Sequence, residues 1–305
     1  MKFRMSRNSI IIRSARIDDS ESLSQLHSEY IDNFQVFEQP TSAEKYRLAI
    51  GSSYLKRCYI HVVEEDTNII GFIEQYTIND KTYKISYPIV KPTHSDRIII
   101  QKKLINRCIE NIPIKSNVTI TIEISANNIE ANKFISNMGF QMDKTILQIW
   151  EGFMEPLDDV SIEPYEIKEV KKDHLDTVYS WIERQLDKES PLYLSKQNFY
   201  HIVNENLNTD KGWAMAFVED IPVAFISSIV DVETKTAVIF GPYNDDSYID
   251  VRLSLLNELV VYYLLKGIDY FRVLRIDTID DDYEIFQRYG LSQIEKIQNY
   301  KLKLM

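Results

Sequence analysis

Two distant stretches of the chain spell out one plan twice. EEDTNIIGFIEQYTINDKTYKISYPI (64–89) is echoed by VEDIPVAFISSIVDVETKTAVIFGPY (218–243), with Phe72 against Phe225, Lys81-Thr82 against Lys235-Thr236 and Pro88 against Pro242. Each is a series of β-rich runs broken by short polar turns, the pattern of an antiparallel meander. The flanks repeat as well: a strand and two helical segments come before each meander, and a helix, a strand, a shorter helix and a last strand come after it. Repetition on this scale restricts the fold to two copies of one domain. With 305 residues, each copy is long enough for a core of its own.

The first copy opens with the strand IIIRSAR, a helix SESLSQLHSEY capped by Asp18 or Asp19, and a helix in TSAEKYRLAI with Thr41 or Ser42 as cap and Glu44 in its first turn. After the meander, SDRIIIQKKLINRCIENI places Ile100, Leu104, Ile105, Cys108, Ile109 and Ile112 on one helical stripe. VTITIEIS alternates as a strand, a short helix follows, and FQMDKTILQIW closes the copy as a strand. The second copy uses YEIKEVKKDHLDTVYSWIERQL, SKQNFYHIVNENL, YIDVRLSLLNELVVYYLLKG, YFRVLRIDTI and DDYEIFQRYGL in the same places. The fold class is α/β, an α+β mixed sheet formed twice. Pro156 and Pro164 bracket an acidic, sparsely apolar link, so the domains are expected at 1–153 and 165–305 with a linker at 154–164.

Composition removes several function classes. A net charge of −11 argues against a nucleic-acid surface, which needs clustered Lys and Arg. No apolar run reaches the roughly 18 residues of a membrane span. Cys58 and Cys108 form no CxxC pair and have no histidine cluster beside them, so no metal site and no disulfide framework is expected, and the chain is placed in the cytoplasm. GxSxG, HExxH and P-loop patterns do not occur.

The short helix carries the most specific signal. In NNIEANKFISNMGF (127–140), Asn128, Ala131, Phe134, Gly139 and Phe140 stand at the spacing of the final helix of the GCN5-related N-acetyltransferase (GNAT) family, and with the matching order of elements the chain resembles a tandem member of it. The asparagine caps the helix, the alanine permits close packing, and the glycine ends it in the left-handed conformation. The resemblance implies an acyl-CoA N-acyltransferase fold in each half. It also implies acetyl-CoA as co-substrate and transfer to the amine of a small molecule or peptide.

The same resemblance implies where the site lies. Backbone N–H groups of the fourth strand, at Ile89 and Val90, would hold the thioester carbonyl. The helix start after it, with Arg97, Ile98 and Lys102 beside Lys103, would meet the pyrophosphate, and Asn128 would face the cofactor. Two departures stand out. The family's phosphate loop is glycine-rich, whereas VKPTHSDRIIIQKKL has no glycine; and the family's tyrosine after the aromatic, which protonates the departing thiolate, is Ile135 here and Phe286 in the repeat. Restoring it by Ile135→Tyr is expected to raise any residual rate. Candidate bases are Glu123, Tyr87, Glu74, His61 and His94. In the second half Asp245, Asp246 and Asp250 oppose an anion and only Arg252 attracts one, so the cofactor is assigned to the first half. The alternative is a catalytically inactive tandem module that binds a metabolite or a protein through the old clefts.

Overall fold

The computed structural model describes residues 10–34, 41–51, 58–113, 117–160, 164–186, 195–206, 212–231, 234–245, 247–248, 250–275 and 282–304. The predicted elements at 276–279 and the acid Asp246 lie outside them. The chain forms two compact units, residues 1–144 with 297–305, and residues 145–296.

In the first unit β1 (Ile10–Ser14) leads through one 3-10 turn into α1 (Ser20–Phe34), followed by α2 (Ala43–Gly51). Asp19 ends the 3-10 turn, accepting the Arg16 N–H at 2.7 Å and pairing with Arg13, whose hydrogen bond holds the carboxyl below its usual range. Ser42 caps α2 by accepting from the Lys45 N–H. β2 (Cys58–Glu65), β3 (Asn68–Asn79) and β4 (Thr82–Ile85) form the antiparallel meander. β5 (Ile89–Val90) continues along β3, and α3 (Arg97–Glu110) follows. β6 (Val118–Ser125) then runs parallel to β4, and α4 (Ile129–Asn137) leads into β7 (Gln141–Phe153).

The predicted α3 stripe is the core: Ile100, Leu104, Ile105, Cys108 and Ile112 are all buried against Val63, Ile85, Ile120 and Phe134. α1 and α2 cover a second cluster of Leu23, Tyr30, Tyr46, Val62 and Phe72.

The second unit repeats the order: β8 (Glu166–Glu169), α5 (Leu175–Gln185), α6 (Lys196–Asn206), β9 (Ala214–Val218), β10 (Ile221–Asp231), β11 (Thr236–Asn244), α7 (Val251–Leu264), β12 (Tyr270–Arg275), α8 (Asp282–Arg288) and β13 (Ser292–Leu304). β11 and β12 are parallel, as β4 and β6 are. Its core gathers Trp150, Leu255, Leu259, Tyr263, Phe271 and Phe286.

The division falls elsewhere than the sequence placed it. β6 takes Ile297–Leu304 of the chain's last strand as its antiparallel neighbour, while β12 takes Gln148–Phe153 of β7. Each unit therefore ends its sheet on the other repeat's final strand. The boundary lies at 144/145 rather than at 153–164, and 297–305 belong with the first unit. Both final strands are long and similarly patterned, so nothing local specifies which partner each one takes. Among the described residues no helix is long and apolar enough to cross a membrane, and no cluster of His, Cys, Asp and Glu forms a metal site.

Candidate functional site

The meander of the first unit shifts register at Val63/Glu64, at Thr77/Asn79 and again between β4 and β5, where the site lies. Gln75 opposes Ile85, yet Phe72 opposes Ile89, so the strand from β4 to β5 holds one residue more than β3 between these pairs. That extra residue is a bulge at Tyr87-Pro88, and it bends β5 away from β6. β4 pairs with β6 only as far as Ile85 opposite Ile122, and beyond it Glu123, Ile124 and Ser125 pair with Asn299, Gln298 and Ile297 of β13. A wedge is left between β5 and β6.

Hydrogen-bond alternation says which backbone groups enter the wedge. Lys91 N–H donates to Ile70 O at 2.8 Å, so the N–H groups of Lys91 and Ile89 turn toward β3, and that of Val90 turns into the opening. Of the two residues expected to hold a carbonyl, Val90 turns its N–H into the opening and Ile89 commits its own to the sheet. The Pro88 carbonyl, across the peptide from the Ile89 N–H, also faces the opening. Gly71 is needed opposite: a Cβ there would stand 2.9 Å from Ile89 O.

Side chains from four elements close the rest. Asn128 caps α4 by accepting the Ala131 N–H at 3.0 Å, and its Nδ2 donates to the Tyr30 hydroxyl of α1 at 3.0 Å. The Tyr87 ring lies between Tyr30, at 5.8 Å, and Phe134, at 6.0 Å. Burial pushes the Tyr87 phenol up to about 12, so near neutral pH it is a proton donor and a poor base. Gln101, on the buried stripe of α3, donates from Nε2 to Pro88 O at 2.9 Å and to the Tyr87 hydroxyl at 3.2 Å. Sequence reading missed Gln101 because a polar residue amid apolar ones looks like the edge of a stripe; its position among Leu104, Ile105 and Cys108 was the available signal.

The helix start differs from a phosphate cradle. Turns already engage the N–H groups of His94, Asp96 and Arg97, through Lys91 O, His94 Nδ1 and His94 O. Arg97 forms an ion pair with Glu130 of α4 and lies over the Phe34 ring, 5.0 Å from its centroid. Ile98 and Ile99 are largely exposed, while Lys102 and Lys103 are exposed in the helix beyond the first turn. Ile135 is wholly buried in the core, so the expectation for Ile135→Tyr reverses: the larger ring overpacks the site.

The other candidates are held elsewhere. Glu123 pairs with Lys84 Nζ at 2.5 Å, just past the last β4–β6 pair and thus at the wedge's edge. Glu74 accepts from Tyr76, whose phenol burial and Glu74 together push up. His94 contacts Glu65 at 3.3 Å on the rim of a cleft of about 740 Å³, lined also by Glu29, Asp66, Lys91 and Thr93.

His61 is buried and accepts from Asn111 Nδ2 at 2.8 Å; its Nδ1 and Gln75 Oε1 are enclosed without a hydrogen bond among the described residues. Burial, and secondarily the charge of Arg107, push the imidazole below its ordinary value. An unfolded chain then takes up its proton near about pH 6.5, at a higher pH than native His61 does. Stability is expected to fall as pH drops below about 6.5, with a slope smaller than the ~1.4 kcal/mol per pH unit of a full proton. Urea midpoints of the native chain and His61→Gln at pH 7 and 5.5 check it; equal pH dependence in the two proteins contradicts the assignment.

The equivalent place in the second unit is shut. β11 carries the same one-residue excess, and Asp245 N–H donates to Val223 O as Lys91 does to Ile70 O. Asn244 therefore stands where Val90 stands. Its carbonyl accepts from Gln185 Nε2 at 2.5 Å, and its side chain accepts from Arg252 Nε at 2.6 Å, with Asn244 and Arg252 both buried. Arg252 is thus a core residue rather than an anion's counter-charge. Asp250 accepts from the Tyr165 hydroxyl at 2.7 Å.

A bulged strand splayed from its parallel neighbour, beside a helix capped by asparagine, is the arrangement of an acyltransferase family. Residues 12–160 match the family model described as an acetyltransferase (GNAT) domain, which places that stretch in the GCN5-related N-acetyltransferase family. Solved structures share the fold over the whole length. A GCN5-related N-acetyltransferase from Sphaerobacter thermophilus superposes with a TM-score of 0.69 at 12% identity, over 97% of this chain and 96% of that one. A tandem GNAT protein from the clavulanic acid biosynthesis pathway gives 0.68 at 11%, over 97% and 99%. A glucosamine N-acetyltransferase region of a fungal multi-domain GH3 β-N-acetylglucosaminidase gives 0.71 at 13%, over 98% of this chain and 38% of that one. No curated protein matches the chain by sequence.

Proposed function

We propose that the chain is an acyl-CoA-dependent N-acetyltransferase that holds acetyl-CoA in the wedge of its first unit and acetylates the amine of a small molecule or peptide, in the cytoplasm. One observation carries the reading: the Val90 N–H turns into an opening that β5 and β6 leave unpaired, next to a neutral, half-buried phenol. Bound there, the cofactor supplies an activated acyl thioester. Val90 N–H would stabilise the oxyanion that forms when the amine attacks the carbonyl carbon, a donor fixed by the sheet and needing no reorganisation. Tyr87 would protonate the departing thiolate. Its hydroxyl accepts from Gln101, which leaves its own proton to give. Glu123, beside Lys84 at the wedge's edge, is the carboxylate placed to take the amine's proton.

The second unit is read as non-catalytic, because Asn244 replaces Val90 there and is tied down, its carbonyl by Gln185 and its side chain by Arg252. It would contribute architecture, or a surface for the acceptor.

Calorimetric titration with acetyl-CoA, followed by thiol release over a panel of amines, tests the proposal. One site per chain and amine-dependent thiol release are expected; no binding overturns it. The ion pair at the helix start adds a second expectation. Arg97 is spent on Glu130, so Glu130→Gln should free it for phosphate and tighten CoA binding about two- to fivefold, the worth of a partly exposed charge contact. Unchanged or weaker binding in that variant would show that no phosphate comes near Arg97.

A further inference from the structure

Gln101 presents an anomaly that the acyl-transfer reading does not use. Its carboxamide is enclosed in α3's buried face, and the bond to Pro88 O fixes which end is nitrogen, since a carbonyl can only accept. Nε2 is satisfied twice. Oε1 is buried and has no hydrogen-bond partner among the described residues. An unpaired buried acceptor costs about 1–3 kcal/mol, and native proteins keep few of them.

The location gives the orphan a meaning. Pro88 O faces the wedge, so the carboxamide bonded to it sits on the side of β5 away from β3, toward which the Val90 N–H also turns. An extended chain lying there must find acceptors for its own N–H groups. The Pro88 carbonyl is already engaged, and Gln101 carries an acceptor beside it. We propose that Gln101 Oε1 accepts an amide N–H of the acyl donor's pantetheine arm, making Gln101 a donor-binding residue that the phosphate-loop and α4 motifs do not announce. The inference rests on the acyl-CoA reading of this wedge. It does not require a glycine cradle. With Arg97 paired to Glu130 and no glycine in the loop, recognition shifts from the pyrophosphate toward the arm.

The test compares the native chain with Gln101→Met, which keeps the volume and removes both polar ends. By calorimetry, CoA should bind the variant about five- to tenfold more weakly, the worth of one buried neutral hydrogen bond. Affinity for 3′-phospho-ADP, which lacks the arm, should not change between the two proteins. A CoA analogue with N-methylated arm amides guards against a folding defect: it should lose affinity for the native chain and lose less for the variant. Equal CoA affinity of native and variant, with the melting temperature kept, overturns the role of Gln101 and leaves the wedge as donor site; a buried water then satisfies Oε1. Equal loss from amide methylation in both proteins likewise overturns it. Absence of CoA binding to the native chain removes the acyl-CoA reading itself, and the inference with it.

Discussion

Arg252→Glu is expected to melt the C-terminal unit at temperatures where the native chain is intact. Seen as sequence, Arg252 is the lone cation among Asp245, Asp246 and Asp250, and reversing it should leave acetyl-CoA binding unchanged. The structure makes it a buried group whose Nε holds Asn244 Oδ1 at 2.6 Å, while Asn244 Nδ2 reaches Asp245 O at 2.7 Å. The substitution leaves the Asn244 amide without its donor and sets an uncompensated carboxylate in the core. Breaking a buried charged contact in this way costs about 3–5 kcal/mol. For a unit of this size that is a drop of roughly 10 °C in its melting midpoint. Circular dichroism melts of the native chain, Arg252→Glu and Arg252→Gln check the estimate. The glutamine variant keeps a donor and no charge, so it should fall between the other two. Coincident curves would place Arg252 in solvent and restore the surface reading.

The same residue shows what the sequence could and could not say. The repeat, the meanders and the α3 stripe were legible, because each depends on local periodicity: Ile100, Leu104, Ile105, Cys108 and Ile112 are buried as the spacing requires. Asn128 was legible for the same reason, since a cap is a local device. The choice of neighbour for β7 and β13 was not, because a strand's pattern fixes its faces and leaves open which edge it joins. Nor was the split of TYKISYPIV into two strands by a bulge at Tyr87-Pro88, which appears only when β3 is laid beside it.

Charges were the least legible of all. Arg97, Lys102 and Lys103 read as one basic cluster, yet Arg97 is consumed by Glu130, which lies 33 residues further along the chain. Ile135 was read as a missing acid on the assumption that its place faces the cofactor. It is instead wholly enclosed, and a tyrosine there would cost about 1–3 kcal/mol of overpacking before any catalytic benefit.

In the proposed reaction the proton that Ile135 cannot give comes from Tyr87, and Tyr87→Phe tests that role. The ring packs between Tyr30 and Phe134, so phenylalanine preserves the contacts and removes only the hydroxyl. Gln101 keeps its bond to Pro88 O, and the affinity for CoA should stay within about twofold of the native value. Turnover at pH 7 should fall about 100-fold, the lower end of what general acid catalysis supplies, because a thiol with a free pKa near about 8.5 is a tolerable leaving group unaided. The loss must then depend on pH in a particular way. Above about pH 9 the departing sulfur is stable as a thiolate and needs no proton, so the ratio of native to variant rates should shrink toward one. The native phenol, held near 12 by burial, remains protonated throughout that range and cannot itself produce the convergence. A variant slowed equally at pH 7 and pH 9.5 would mean that the hydroxyl positions the donor without protonating it, and a variant as fast as the native chain at every pH would remove Tyr87 from the chemistry.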